Sequence, residues 1–134
     1  MPDSTRSPFS YAILRVVPRV ERGERFNAGV LLYCRQRDFL GARVALDETR
    51  LAALAPDASA NDVRSYLEAL VRVAAGDPDA GPIAAMPQSE RFGWLVAPSS
   101  TIIQPSKVHT GMCDEPQATL DTLFEELVEP PRRC

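Results

Sequence analysis

The sequence is poor in lysine and histidine, residues that phosphate-binding and metal-binding proteins commonly use. Lys107 is the only lysine and His109 the only histidine, and the formal net charge is -3 at pH 7. Proteins that bind nucleic acid usually carry a basic surplus, because neutralised phosphates supply most of their affinity. The acidic balance therefore argues against nucleic acid as the main partner.

Closely spaced cysteines and long apolar runs are also missing. The three cysteines, Cys34, Cys113 and Cys134, are far apart in the sequence. A structural zinc site needs four cysteine or histidine ligands at short spacings, so we predict neither a metal site nor another cofactor. Residues 1–10 carry no apolar signal segment, and no apolar run approaches the roughly 18 residues of a membrane span. We expect a cytoplasmic protein with free thiols that does not contact membranes.

What the chain does contain fits one globular domain. Its 134 residues are 45% hydrophobic and 25% charged, which is ordinary for a folded protein of this length. We predict a single α+β domain over residues 9–130, with flexible tails at 1–8 and 131–134.

Three strands are predicted in the first third of the chain, at residues 9–17, 26–34 and 40–46. The first is apolar on both faces and is followed by Pro18, which cannot donate to a sheet ladder. Short connections between the three strands favour an antiparallel meander. Residues 99–112 are also extended in character and add one or two short strands.

Helical patterns follow the strands. A short helix over residues 47–55 stops before Pro56, and a longer one has Ser59 as its N-cap and Gly76 as its C-cap. The last helix has Asp114 and Gln117 as a capping pair, and its apolar residues recur at helical spacing. Residues 90–98 fit either a short helix or an irregular segment. The order of elements predicts an antiparallel sheet of three to five strands with two or three helices packed on it.

The best site candidate is the start of the second strand, where Asn27 and Gly29 interrupt an apolar run. If the hairpin is centred near Arg22, Arg15 lies opposite Gly29. Arg15, Asn27 and the space left by Gly29 would then share one face, with Glu24 at the mouth of the turn. This arrangement suits a carboxylate or phosphate, because a guanidinium offers a planar fork of donors.

Two structural explanations of the same residues remain open. Gly29 also fits a β-bulge or the close crossing of a helix. Arg15 also fits an ion pair with Glu24, or with a carboxylate from a helix, as a fixed polar network in the core.

Several segments resemble one bacterial family. Residues 11–18 (YAILRVVP) and 22–32 (RGERFNAGVLL) resemble the opening of an uncharacterised family, domain of unknown function 3037. Residues 39–43 (FLGAR), 102–106 (IIQPS) and 123–130 (LFEELVEP) are similar to it as well. The resemblance implies a protein partner, a HipA-like kinase often encoded nearby, but no established activity. Arg43, Gln104 and Ser106 lie in these segments, and the full predicted ligand-binding set is Arg15, Glu24, Asn27, Gly29, Arg43, Gln104 and Ser106.

Three functions follow from these patterns. The leading hypothesis is an accessory or binding domain that acts with a protein partner and holds an anionic group. The alternative is a small enzyme acting on a nucleotide or phosphorylated metabolite, which needs Glu24 or His109 close to Arg15. Nucleic-acid binding would need a stripe formed by Arg19, Arg22, Arg25, Arg35 and Arg37. The sequence does not decide the oligomeric state.

Overall fold

The chain forms an antiparallel sheet with helices on both faces. The computed structural model describes residues 6–99 and 101–129. Its strands are β1 (Ser7–Val16), β2 (Phe26–Cys34), β3 (Phe39–Val44), β4 (Ile103–Pro105) and β5 (His109–Cys113). Its α-helices are α1 (Glu48–Leu54), α2 (Ala60–Ala75), α3 (Gln88–Leu95) and α4 (Pro116–Leu127), with two short 3-10 turns, Pro78–Ala80 and Pro82–Ala85, before α3. The predicted α+β class and antiparallel sheet are confirmed, with four α-helices in place of two or three.

β1 is the central strand of the five-stranded sheet. The order is β3-β2-β1-β4. β5 also pairs with β1, through residues 7–11, whereas β4 pairs with residues 14–16. β1 starts at Ser7, so Ser7 and Pro8 belong to the sheet and not to the predicted tail. The second predicted tail, residues 131–134, lies outside the described residues.

The helices begin and end largely where their capping residues predict. The Ser59 hydroxyl accepts a hydrogen bond from the Asp62 amide, and Gly76 ends α2 in the left-handed conformation at φ 75°. The predicted capping pair of α4 is wrong. The N-cap is Glu115, without a side-chain cap, and Gln117 donates to Asp121 within the helix.

A β-bulge in β2 exchanges the two faces of that strand. Leu14 pairs with Gly29 and Arg15 pairs with Asn27, so Ala28 is an extra residue opposite β1. On one side of the bulge, Val30 and Leu32 pack under α4. On the other side, Phe26 and Ala28 pack with residues of α1 and α2. The bulge therefore lets one strand contribute even-numbered residues to both layers of the core.

Gly29 illustrates how closely the strands pack around the bulge. A Cβ atom added there would lie 2.7 Å from Val44 Cγ1 and 3.0 Å from the Arg43 carbonyl oxygen. We expect Gly29→Ala to lower the free energy of unfolding by about 1–3 kcal/mol, because backbone and β-branched neighbours cannot move aside cheaply. Chemical denaturation measures the change.

Gly93 provides the matched control. It is exposed within α3, and an added Cβ would meet nothing within 4 Å. Gly93→Ala is expected to stabilise the protein by up to about 1 kcal/mol through helix propensity. Equal effects of the two substitutions would contradict the close packing at Gly29.

Candidate ligand-binding site

The bulge sets which polar side chains share a face of the sheet. Arg15 lies opposite Asn27 on β2 and opposite Gln104 on β4. The predicted register, with Arg15 opposite Gly29, is wrong: Gly29 pairs with Leu14, and the inserted Ala28 then places Arg15 opposite Asn27, two residues from Gly29. Residues directly opposite each other in antiparallel strands point to the same face. Gln104, Arg15 and Asn27 therefore form one row across three strands, hereafter the polar row.

Gly29 does not leave a vacancy beside this row. Its pairing with Leu14 places it in register with a residue of the opposite face. The space that a Cβ would occupy is taken by Val44 and, at 3.3 Å, by Leu14 Cδ1. The predicted hole above Gly29 is therefore wrong, and the alternative of a bulge with close packing accounts for the glycine.

Asn27 connects the polar row to the end of α4. Its Nδ2 donates a hydrogen bond of 2.9 Å to the Leu127 carbonyl oxygen. The last carbonyl groups of a helix lack partners within the helix, so this amide satisfies one of them. The polar row therefore lies at the C-terminal end of α4, where the helix dipole is negative.

Glu24 is not part of the polar row. Its Oε1 accepts a 2.6 Å hydrogen bond from Arg22 Nε, and the Glu24 side chain is 42% exposed. This hydrogen bond holds the pKa of Glu24 below its ordinary value, because it stabilises the carboxylate form. Glu24 is thus engaged within its own turn and does not pair with Arg15.

Arg43 lies over α4, away from the polar row. Its guanidinium contacts the Asp121 carboxylate at 3.1 Å and lies 4.3 Å from the centre of the Phe124 ring. An arginine above an aromatic face is attracted by the ring quadrupole. These contacts make Arg43 a link between β3 and α4.

Ser106 is a structural residue between β4 and β5. It is 6% exposed, and its amide donates to the Ile13 carbonyl oxygen at 2.8 Å. Its Oγ accepts a 2.8 Å hydrogen bond from the Ile13 amide and donates to the Lys107 carbonyl oxygen. The Ser106 hydroxyl therefore takes the place of a backbone carbonyl as the acceptor for the Ile13 amide, where the ladder is broken between β4 and β5.

Arg15 combines partial burial with the lack of a partner, whereas the other described arginines without a partner, Arg6, Arg25 and Arg35, are exposed. Six further arginines form ion pairs with carboxylates: Arg19, Arg22, Arg43, Arg50, Arg64 and Arg72. Arg15 is half-buried, and within residues 6–99 and 101–129 it has no hydrogen bond or ion pair. Partial burial lowers its pKa, and repulsion from Arg25 lowers that pKa further. Arg15 is therefore a partly desolvated cation beside a second cation.

His109 lies too far along the sheet to act with Arg15. It pairs with Tyr11, and the two rings stack with 5.1 Å between their centres. Tyr11 and Arg15 are four residues apart on β1, which corresponds to roughly 13 Å. The arginines expected to form a nucleic-acid stripe are also divided, because Arg25 and Arg35 flank opposite ends of β2.

The structure adds one surface that the sequence did not indicate. An apolar groove of about 230 Å³ lies between α2, α3 and β4, with the exposed rings of Tyr66 and Trp94 among its lining residues. Trp94 stands in the segment for which the sequence left helix and irregular structure open. Only the formation of α3 brings it near Tyr66.

Two kinds of feature are absent from the described ranges. No group of three or more histidine, cysteine or acidic residues there is arranged to hold a metal ion. None of the helices in those ranges is both long and apolar enough to cross a bilayer.

One comparison with known proteins gave a match. The family described as Protein of unknown function (DUF3037) matches residues 11–128, which is most of the chain. Neither the curated proteins nor the solved structures gave a match.

Ser106 should contribute measurably to stability. We expect Ser106→Ala to lower the free energy of unfolding by about 1–3 kcal/mol, because the buried Ile13 amide loses its acceptor. Urea denaturation tests this. Ser65→Ala on the exposed face of α2 is the control and should change stability by less than about 0.5 kcal/mol. A Ser106→Ala variant as stable as the control would contradict the assigned role.

The two described thiols should be unreactive in the folded protein. Cys34 and Cys113 are free, buried and members of one core cluster. Burial raises the pKa of Cys113, and the neighbouring Cys34 raises it further, so the nucleophilic thiolate is scarce at neutral pH. In a Cys134→Ser background, a disulfide reagent at pH 8 should label neither thiol until urea is added, when both react. Rapid labelling without urea would contradict the burial.

Proposed function

The chain belongs to the family described as Protein of unknown function (DUF3037), and we propose that it is a binding domain that holds an anionic group at Arg15. The observation that carries this proposal is the half-buried Arg15 guanidinium, which has no counter-charge among the described residues. Burying part of a cation without a partner is unfavourable. A ligand carboxylate or phosphate would reverse that cost.

The neighbours of Arg15 favour an anion over a neutral ligand. Repulsion from Arg25 adds positive potential at Arg15, which an incoming negative charge relieves. Asn27 and Gln104 lie on either side of Arg15 in the polar row. Each side-chain amide donates one N–H within the chain, to the Leu127 and Thr101 carbonyl oxygens respectively, and keeps a second N–H. A guanidinium between two amides offers several donors to one group of oxygens, which suits phosphate or carboxylate geometry.

The C-terminal end of α4 gives a competing explanation for the half-buried charge of Arg15. A cation near the C-terminus of a helix is stabilised by the helix dipole, and Asn27 places that terminus beside the polar row. In that case Arg15 would support folding and bind nothing. Stability and binding therefore have to be measured on the same variants.

The partner that we propose is a HipA-like kinase in the bacterial cytoplasm, as the resemblance of the sequence implies. The anionic group would be a carboxylate or phosphate on the surface of that kinase. The alternative of a small enzyme has less geometric support, because Glu24 is paired with Arg22 and His109 lies along the strand next to Tyr11.

Arg15 should determine anion binding. Titration with inorganic phosphate and, separately, with acetate should shift the backbone NMR signals of Arg15, Asn27 and Gln104 in the native protein. We expect Arg15→Gln to weaken this binding by at least about tenfold, because a hydrogen bond to a charged group contributes roughly 1.5–3 kcal/mol. Arg22→Gln, which removes an exposed arginine already paired with Glu24, is the matched control and should leave binding unchanged.

Two results would contradict the proposal. One is an Arg15→Gln variant that binds phosphate and acetate as the native protein does. The other is the combination of no saturable binding of either anion by the native protein with a loss of stability in Arg15→Gln. That combination would show that Arg15 stabilises the C-terminal end of α4 and binds no ligand. Co-purification of the kinase from the native host with the native protein, but not with Arg15→Gln, would support the partner.

A further inference from the structure

The side chains of the two edge strands are packed very differently. β3 forms one edge, and it packs against α4 on one face and α2 on the other, through Phe39 and Leu40 respectively. β5 forms part of the opposite edge and pairs with β1 alone within the described part of the chain. Its side chains Thr110 and Met112 are exposed, and Met112 has half of its surface in solvent.

The hydrogen-bond pattern shows which backbone groups of β5 are free to accept another strand. Ile13 of β1 and Val17 just after it, both odd-numbered, bond toward this edge, to Ser106 and to Ile102 respectively. Backbone groups alternate in direction along a strand, so Tyr11 and Phe9 also bond toward this edge. Their partners are His109 and Gly111. The amide and carbonyl groups of Thr110 and Met112 therefore point outward.

An open strand edge of this kind normally carries protective features. Proteins protect edges with lysine, proline, bulges or inward-pointing charges. Residues 109–113 (HTGMC) contain no lysine, arginine, aspartate, glutamate or proline. Val108, just before the strand, is 42% exposed, so apolar side chains accompany the open backbone groups. The edge has the properties of an interface.

We propose that β5 is a self-association edge at which two copies of this chain pair antiparallel through a two-fold axis at Gly111. In this register Thr110 of each copy pairs with Met112 of the other, and the outward amide and carbonyl groups of both residues are satisfied. Met112 also lies diagonal to Met112 and Val108 of the second copy, so the exposed apolar side chains cover one another. The two sheets become one continuous sheet.

Charge complementarity favours a second copy as the occupant of this edge. Lys107, the only lysine, precedes β5, and Asp114 and Glu115 follow it. A two-fold axis at Gly111 brings the segment with Lys107 in one copy alongside the segment with Asp114 and Glu115 in the other, twice. Opposite charges therefore flank the paired strands at both ends.

The proposal predicts a concentration-dependent dimer of the full chain. Sedimentation velocity from micromolar to about 1 mM should show a monomer–dimer equilibrium that weakens as salt increases, because exposed ion pairs are screened. A monomer throughout this range would overturn the proposal.

Proline substitutions test the outward amide groups. Thr110→Pro and Met112→Pro each remove an outward donor and leave the bonds to β1 in place, which edge strands tolerate. Each should shift the equilibrium to monomer, whereas Thr110→Ala, which keeps the amide, should not. Circular dichroism checks that each variant is folded. A folded proline variant that dimerises like the native protein would overturn the proposal.

Charge exchange tests this complementarity without changing the backbone. Lys107→Glu and Glu115→Lys should each raise the dimer dissociation constant by about 2- to 30-fold, the range that two exposed ion pairs allow. Combining both substitutions should restore the native value, because the flanking charges are complementary again with their signs reversed. If the single variants dimerise normally, or the combined variant is no better than they are, the proposed two-fold pairing is overturned.

Discussion

The pairing of β1 with β2, with Ala28 inserted opposite it, is the constraint on which the rest of the structure depends. Side chains alternate along a strand with a period of two, so one extra residue reverses every face beyond it. Phe26 and Ala28 thereby join the layer of α1 and α2, and Val30 and Leu32 join the layer of α4. Without the bulge, Phe26 would turn toward α4 and Asn27 would turn into the core of the opposite layer.

The same insertion produces the polar row. Asn27 faces α4 because it lies beyond Ala28, and there it bonds to the Leu127 carbonyl oxygen. Arg15, opposite Asn27, lies at the same helix end, and the Glu24 carboxylate bonds to Arg22 in the turn. Arg15 therefore has no ion-pair partner among the described residues, although the sequence contains 18 acidic residues.

The sequence predicts features that depend on local interactions, such as the ends of helices, but it does not predict the register between strands. Ser59 and Gly76 identify the ends of α2 because a hydroxyl cap and a left-handed glycine act within one turn of helix. The apolar face of α4 is predicted for the same reason, since helical spacing is local. The bulge at Ala28 has no such signature, because alanine and glycine are compatible with both a regular strand and a bulge. The shifted register and the bulge placed Gly29 on the other face of the sheet, whereas Arg15 and Asn27 share a face as predicted.

Two short strands, β4 and β5, pair with the same side of β1, with a break between them. β1 is long enough to pair with both short strands, but the chain between them departs from the ladder after Ser106. A serine can remain paired there, because its amide and its hydroxyl both bond to Ile13. This double contact lets β5 resume its pairing with β1 one residue out of step with β4. Gln104 of the polar row therefore lies on β4, and the open edge lies on β5. Both strands are on the same side of β1, and Ser106, bonded to Ile13, lies between them.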